Sequence, residues 1–181
     1  TEPEVFTAAL TVGRLMVGLG SLAAVAQSSY SKMVAYALIA DFGVTLFAIG
    51  SNQPGALHIV LFHVGVRVVS LAAWGLGSAV MGRNASERHL IGAGRVNPMA
   101  ASASLIGALG LAGFPLTGGF AIRWALLRSL PAAADGGVPI LLFSMLLVTL
   151  AVGRWAAQIF TSAGEGGSGL VTRTDRWFLL A

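Results

Sequence analysis

Residues 104–130 read SLIGALGLAGFPLTGGFAIRWALLRSL, a long apolar run. Four residues break its middle and an arginine follows one turn later: Gly113, Pro115, Gly118, Gly119 and Arg123. A soluble helix rarely carries so much apolar surface, and an ordinary membrane helix rarely carries such a break followed by an arginine. Both features fit a discontinuous transmembrane helix whose unwound centre lines a polar pathway. The alternative is a continuous helix that is only kinked by proline and tilted.

The composition indicates an integral membrane protein. Of 181 residues, 56% are apolar and 10% are charged, and the mean hydropathy is +0.82. Soluble domains average about 25% charged residues, so this chain has too few to face water on all sides. The net charge of +4 comes from arginines spread along the chain. A nucleic-acid surface would cluster them, so we expect no nucleic-acid partner.

Five apolar segments are each close to the roughly 20 residues that cross about 30 Å of hydrocarbon. They are residues 6–27, 32–50, 56–81, 99–130 and 138–160. The fourth would be roughly 48 Å long as one straight helix, which favours two half-helices joined by a link. We therefore predict an all-α integral membrane fold with five transmembrane helices, the fourth discontinuous, over residues 1–162. A glycine-rich tail, residues 163–181, then ends in an interfacial anchor or the start of another helix.

Basic residues between the segments predict the orientation. They fall on one side of the membrane when the segments are counted alternately: Lys32, Arg83, Arg88, Arg95, Arg173 and Arg176. By the positive-inside rule, that side faces the cytoplasm or matrix and the N-terminus is outside. The first residues have no methionine and no signal-peptide features. We therefore expect that an upstream piece was removed or belongs to another chain.

Glycines predict where helices approach each other closely. Lipid offers no hydrophobic drive for helix association, and small residues let helix backbones pack against each other instead. Three lie in the first segment and three in the fourth: Gly13, Gly18, Gly20, Gly107, Gly110 and Gly113.

Ionisable residues near the bilayer centre are functional candidates, since burying each costs on the order of several kcal/mol. They are Arg14, Asp41, His63, Arg67, Arg123 and Arg154, with His58 nearer the outer end. His63 and Arg67 are four residues apart and share a helix face. Asp41, the only carboxylate at that depth, has Arg67 or Arg123 as its counter-ion. It is either a proton relay or half of a structural ion pair, and His63 is either part of a hydrated track or a packing histidine.

For the remaining candidate residues, a structural role is the favoured interpretation. Arg14 and Arg154 lie toward helix ends or can extend to the interface. The sequence has no nucleotide-binding loop, Cys/His metal cluster or nucleophile elbow. We therefore expect no metal, no cofactor and no catalytic residue in this chain, and an embedded enzyme is the least favoured function.

Three stretches in order resemble one family. YSKMVAYALIADFG (residues 30–43) resembles the signature KRLLAYSSIxxxG of the antiporter-like subunits of respiratory complex I and the Mrp-type cation/proton antiporters. HVGVR (63–67) looks like the family's HAFFK element. LAGFPLTGGFAIRW (111–124) is similar to its broken helix, LAGIPPxxGFxxKW. The resemblance spans about residues 6–162.

The resemblance implies two inverted repeats of five helices, each forming a half-channel with one discontinuous helix. The five segments here correspond to the second repeat only, so the first repeat would come from another chain or be absent. It also implies a proton pathway through Asp41, His63, Arg67, Arg123 and Lys32. Where the family has proton-carrying lysines, this chain has Arg67 and Arg123, and a guanidinium keeps its proton.

The function that the resemblance implies is a membrane-arm subunit of a proton-translocating NADH-quinone oxidoreductase-like complex. Its partners would be other membrane subunits and the lipid of an energy-coupling membrane, either the bacterial or the mitochondrial inner membrane. Two alternatives keep the same fold. One is a scaffold subunit that does not pump, and the other is a stand-alone transporter made of two copies of this unit.

Overall fold

The computed structural model describes residues 2–81, 90–129 and 136–161, with side chains from residue 4 onward. Every regular element in these ranges is an α-helix, as predicted. The helices are α1 Glu2–Val25, α2 Tyr30–Gly50, α3 Ala56–Met81, α4 Ala93–Val96, α5 Pro98–Ala112, α6 Gly118–Ser129 and α7 Gly137–Phe160. Four of them, α1, α2, α3 and α7, are long and apolar enough to cross a membrane. The predicted tail, residues 163–181, lies outside the described residues.

The four long helices coincide with the first, second, third and fifth predicted segments, and their ends differ by at most four residues. The fourth predicted segment is occupied by two helices, α5 with 15 residues and α6 with 12. Residues 113–117, which we call the link, separate them. Neither α5 nor α6 is long enough to cross about 30 Å alone at about 1.5 Å per residue.

The short helix α4 was not predicted, because the sequence between the third and fourth segments reads only as a polar loop. It is held by the far end of α7. The backbone N–H of Gly92 donates to Gln158 O at 3.3 Å, and Arg95 Nε donates to Phe160 O at 3.1 Å. The ring of Phe160 also packs against Gly94. Since these contacts come from a distant part of the chain, no local pattern reveals α4.

Helices α1 and α2 approach each other closely through glycines. A Cβ added to Gly43 would lie 2.9 Å from Gly13 O, and one added to Gly20 would lie 2.7 Å from the backbone nitrogen of Ala40. The predicted close packing is therefore confirmed at Gly13 and Gly20. It is wrong at Gly18, where no atom lies within 4 Å of an added Cβ.

We expect Gly43→Ala to destabilise the fold by about 1–3 kcal/mol, because the new methyl group must push α1 away from α2. Gly18→Ala is the matched control, since it makes the same change in a helix with open space beside it. It is expected to be neutral, or to stabilise by up to about 1 kcal/mol through helix propensity. Unfolding of both variants in detergent micelles measures this. Equal effects of the two changes would contradict the packing of α1 on α2.

Helix α2 is the central helix and α3 is peripheral. In their most apolar stretches, 56% of the residues of α2 are buried, compared with 17% of those of α3. The inner face of α3 packs against α5, where Gly107 and Gly110 lie against Trp74 and Ser70. This confirms the predicted close packing of the fourth segment. The outer face of α3 leaves a broad apolar surface exposed.

Candidate functional site

The link between α5 and α6 begins at a left-handed glycine. Gly113 has φ +74°, a backbone conformation that residues other than glycine rarely adopt. The backbone N–H of Phe114 donates back to Leu109 O at 3.1 Å, closing the end of α5 in the manner of a Schellman motif. The Thr117 hydroxyl donates to Phe114 O at 2.7 Å.

The four glycine and proline residues singled out in the sequence divide between the link and α6. Gly113 and Pro115 lie in the link, whereas Gly118 and Gly119 form the first turn of α6. A Cβ at Gly119 would collide with Gly110 O, so this glycine lets α6 start directly beside the end of α5.

Asp41 of α2 is the centre of a buried ionic cluster that draws on three helices. His63 Nε2 lies 2.7 Å from Asp41 Oδ1. Arg67 Nε donates to Asp41 Oδ2 at 2.6 Å, and Arg123 Nη2 donates to Asp41 Oδ1 at 3.1 Å. All four side chains are buried, at 7% exposure or less. The sequence left Arg67 and Arg123 as alternative counter-ions of Asp41, and the structure shows that both bind it.

Each arginine is also held by groups that the sequence did not single out. Arg67 Nη2 donates to Asp41 O at 3.1 Å and to Thr45 Oγ1 at 2.5 Å, and its guanidinium lies 4.1 Å from the centre of the Phe42 ring. Thr45 follows Asp41 by four residues, and this spacing could have indicated that it shares the face. No local signal points to Phe42.

Arg123 closes the broken end of α5. Its Nη2 donates to Leu111 O at 2.6 Å. Leu111 lies in the last turn of α5, where backbone carbonyls lack partners within the helix and carry the negative end of the helix dipole. The guanidinium therefore binds both the Asp41 carboxylate and the end of the helix. A backbone carbonyl has no signature in the sequence, so this contact was not predictable.

Other predicted residues lie away from the cluster. Lys32 is exposed in the first turn of α2, nine residues from Asp41 and thus about 14 Å along the helix. Arg14 lies 5.8 Å from the Phe47 ring centre. Arg154 donates to the backbone oxygen of Gln27, which lies two residues beyond the end of α1.

The cluster has more positive than negative groups. Two guanidinium groups and one imidazole surround one carboxylate. Within the described residues, His63 Nδ1 and Arg123 Nη1 are buried and lack a hydrogen-bond partner. The described residues also contain no group of three or more His, Cys, Asp or Glu that could hold a metal ion. The imidazole of His63 has one ring nitrogen that can donate and one that can accept a hydrogen bond, whereas the guanidinium groups of Arg67 and Arg123 only donate.

Sequence comparisons agree with the motif resemblance. Residues 2–152 match the family described as NADH:quinone oxidoreductase/Mrp antiporter, TM. The chain is similar to NADH-quinone oxidoreductase subunit N of Rhodopseudomonas palustris (strain BisA53), at 29% identity over 175 residues, covering 94% of this chain and 38% of the relative. It is also similar to NADH-quinone oxidoreductase subunit N 1 of Solidesulfovibrio magneticus, at 30% identity over 154 residues, covering 82% of this chain and 33% of the relative.

A third relative is NADH-quinone oxidoreductase subunit N 1 of Solibacter usitatus, at 32% identity over 123 residues, covering 66% of this chain and 24% of the relative. The chain thus spans between 24% and 38% of the length of these three relatives. Its four long apolar helices and its match to a transmembrane family make it an integral membrane protein. The three motifs and the match over residues 2–152 lead to one conclusion: the chain belongs to the NADH:quinone oxidoreductase/Mrp antiporter transmembrane family.

Proposed function

We propose that this chain is a membrane-arm subunit, or part of one, in a proton-translocating NADH-quinone oxidoreductase-like complex, where it contributes a half-channel for protons. The observation that carries the proposal is the position of Asp41. Its carboxylate is buried in the central helix and joins side chains from α2, α3 and α6 beside the link. A carboxylate in this position is expensive in a membrane and is by default a functional group.

In this proposal, two side chains of the cluster transfer the proton and the other two hold the carboxylate in position. Asp41 and His63 form the pair that passes the proton, since a carboxylate and an imidazole 2.7 Å apart can exchange one. Arg67 and Arg123 keep their charge and hold the carboxylate in place. This division differs from the role that the resemblance implies, in which residues at these two positions carry protons themselves. Lys32, in the first turn of α2, then contributes only its positive charge and does not transfer a proton.

The proposed topology treats α5, the link and α6 as one discontinuous span. With α1, α2, α3 and α7 this makes five spans over residues 1–162, with the N-terminus outside and the basic loops inside. The chain then corresponds to the second of two inverted repeats, and a partner provides the first. The energy-coupling membrane is the inner membrane of a bacterium or a mitochondrion.

We expect His63→Gln to lower the number of protons moved per NADH oxidised. Loss of a positioned acid–base group typically slows proton transfer by about 10²-fold or more, so transfer through this chain would no longer keep pace with turnover. His58→Gln is the matched control, because His58 lies on the same helix but is exposed and outside the cluster. Proton uptake and NADH oxidation by membrane vesicles that contain the assembled complex give this ratio. An unchanged ratio in His63→Gln would identify the chain as a scaffold that does not pump.

The proposed association with other membrane subunits predicts the size of the native assembly. Isolation of the chain in a mild detergent should yield a large complex of several different membrane subunits. A small particle that contains only this chain would contradict the proposal and support a stand-alone transporter.

A further inference from the structure

The aromatic ring of Phe42 lies directly against the buried guanidinium of Arg67. The distance from the Arg67 Cζ atom to the centre of this ring is 4.1 Å. Two other guanidinium–ring pairs occur in the described part of the chain, at 5.8 Å and 5.9 Å. A cation–π attraction extends to about 6 Å from the ring centre. The two looser pairs are therefore at its limit, whereas Phe42 and Arg67 are in contact.

Burial of its own side chain does not explain the position of Phe42. The residue is 46% exposed on the surface of α2, whereas Arg67 is 7% exposed. A phenylalanine that faces lipid needs no partner in the protein, because lipid is as apolar as its ring. A guanidinium that faces lipid is costly. The ring therefore shields the charge of Arg67 from the surroundings of the chain.

The N–H groups of Arg67 bind the same turn of α2. Nε donates to Asp41 Oδ2 at 2.6 Å, and Nη2 donates to Asp41 O at 3.1 Å and to Thr45 Oγ1 at 2.5 Å. A guanidinium uses its N–H groups for hydrogen bonds in its plane and its faces for stacking on aromatic rings. Asp41 and Thr45 supply contacts of the first kind, and Phe42 supplies one of the second. We call these three residues of α2 the Arg67 site.

The Arg67 site fits a guanidinium better than an ammonium group. It uses two different nitrogen atoms of the side chain and a flat, weakly hydrated face. The ammonium of a lysine is a compact and strongly hydrated charge at the end of a flexible chain, and it has no such face. A lysine at this position would therefore keep the charge but lose part of the contacts.

Arg123, the second guanidinium on Asp41, has no comparable site. Its Nη2 donates to Asp41 Oδ1 and to Leu111 O, but its Nη1 is buried without a hydrogen-bond partner among the described residues. None of the guanidinium–ring pairs in those residues includes Arg123. Of the two cations that bind the carboxylate, Arg67 is thus the one that α2 holds on both an edge and a face.

We propose that Phe42 is a positioning residue, whose ring holds the Arg67 guanidinium on the Asp41 carboxylate in a site that is specific for arginine. Arg67 binds Oδ2 of this carboxylate, while His63 Nε2 lies 2.7 Å from Oδ1. A fixed Oδ2 therefore keeps Oδ1 within reach of the imidazole. The inference rests on the proposed function in one respect, namely that Asp41 and His63 exchange a proton.

Fluorinated phenylalanines at position 42 test the cation–π contact with little change in the size of the ring. Each fluorine withdraws negative charge from the ring face, so one, two and three fluorines weaken the attraction stepwise. For unfolding in detergent micelles, we expect three fluorines to lower the folding equilibrium constant about tenfold, with intermediate losses for one and two. The same analogues at Phe62 are the matched control, because this ring is 72% exposed on α3 and no described guanidinium lies over it. Equal effects at the two positions would overturn the proposal.

Substitutions of Arg67 show whether the ring acts through the charge. In Arg67→Met, which keeps a long side chain without the cation, the fluorine series at Phe42 should have no effect. A series that persists in this background would show that the ring only packs, and would overturn the proposal. Arg67→Lys should lower the folding equilibrium constant about tenfold, since an exchange of arginine for lysine at a stacked site is not conservative. A lysine variant as stable as the wild type would overturn the specificity for arginine.

Proton uptake per NADH oxidised, in vesicles that contain the assembled complex, separates positioning from stability. At a temperature where every variant is folded, three fluorines at Phe42 should lower this ratio about twofold or more, because a reacting group displaced by about 1 Å can slow its step about 100-fold. An unchanged ratio, in a complex where His63→Gln does lower it, would overturn the positioning role. If His63→Gln also leaves the ratio unchanged, the proposed function fails, and the unfolding series still decides for or against the contact of Phe42 with Arg67.

Discussion

Asp41→Asn is expected to abolish proton transfer through this chain and to destabilise its fold by about 3–5 kcal/mol. The asparagine amide has nearly the same shape as the carboxylate, so the packing of α2 is preserved. The loss comes from the two guanidinium groups, Arg67 and Arg123, which remain buried without a counter-charge. Unfolding in detergent measures the stability, and proton uptake per NADH in vesicles measures the transfer.

A double variant separates the two effects. The wild-type cluster has two guanidinium groups and one carboxylate, a net charge of +1 with His63 neutral. Asp41→Asn raises this charge to +2, and Asp41→Asn combined with Arg123→Gln returns it to +1. We therefore expect the double variant to regain part of the stability but none of the proton transfer. Proton transfer that survives Asp41→Asn would show that this carboxylate is not on the pathway.

Gly113→Ala is expected to destabilise the chain by at least about 2 kcal/mol and to reduce proton transfer. A left-handed backbone costs about 1–2 kcal/mol for a residue with a Cβ, and φ here is +74°. The new methyl group would also lie 2.7 Å from Arg123 Cδ, so the guanidinium would have to leave Asp41 and Leu111. The same unfolding and vesicle measurements apply.

Two further substitutions serve as controls for Gly113→Ala. Gly153→Ala places a methyl group on α7, where no atom lies within 4 Å, and it should leave stability and transfer unchanged. Gly113→Asn keeps the steric conflict with Arg123 but tolerates the left-handed backbone better than alanine does. It should therefore recover stability without recovering transfer. Normal transfer in Gly113→Asn would show that the position of Arg123 is not required.

The sequence predicted the membrane helices well, because their signal is local. Twenty or so consecutive apolar residues bounded by turns indicate a span without knowledge of the rest of the fold. The interruption after Ala112 was equally visible, since Gly113 and Pro115 act on their own backbone. The helix α4 was missed for the opposite reason. Its four residues are held by Gln158 and Phe160 of α7.

The candidate site was predicted in its members but not in its connections. Ionisable residues stand out in an apolar chain, so Asp41, His63, Arg67 and Arg123 were identified from their depth. The same criterion also selected Arg14 and Arg154, which lie away from the cluster. Their pairing depends on how α2, α3 and α6 cross, and a sequence does not specify that. The partial failure of the glycine predictions has the same origin, because Gly18 and Gly20 differ only in which neighbour each one faces.

The sequence by itself determined that this protein lies in a membrane, that its fourth apolar segment is interrupted, and that one carboxylate and several arginines lie within the apolar segments. Each of these properties follows from the free energy of placing a residue type or a backbone conformation in hydrocarbon, which depends on local composition. Only the tertiary structure decided that Asp41 binds both arginines and His63 at once, and that Arg123 closes the broken end of α5. Those contacts join residues of three helices, so they depend on how the helices pack against one another.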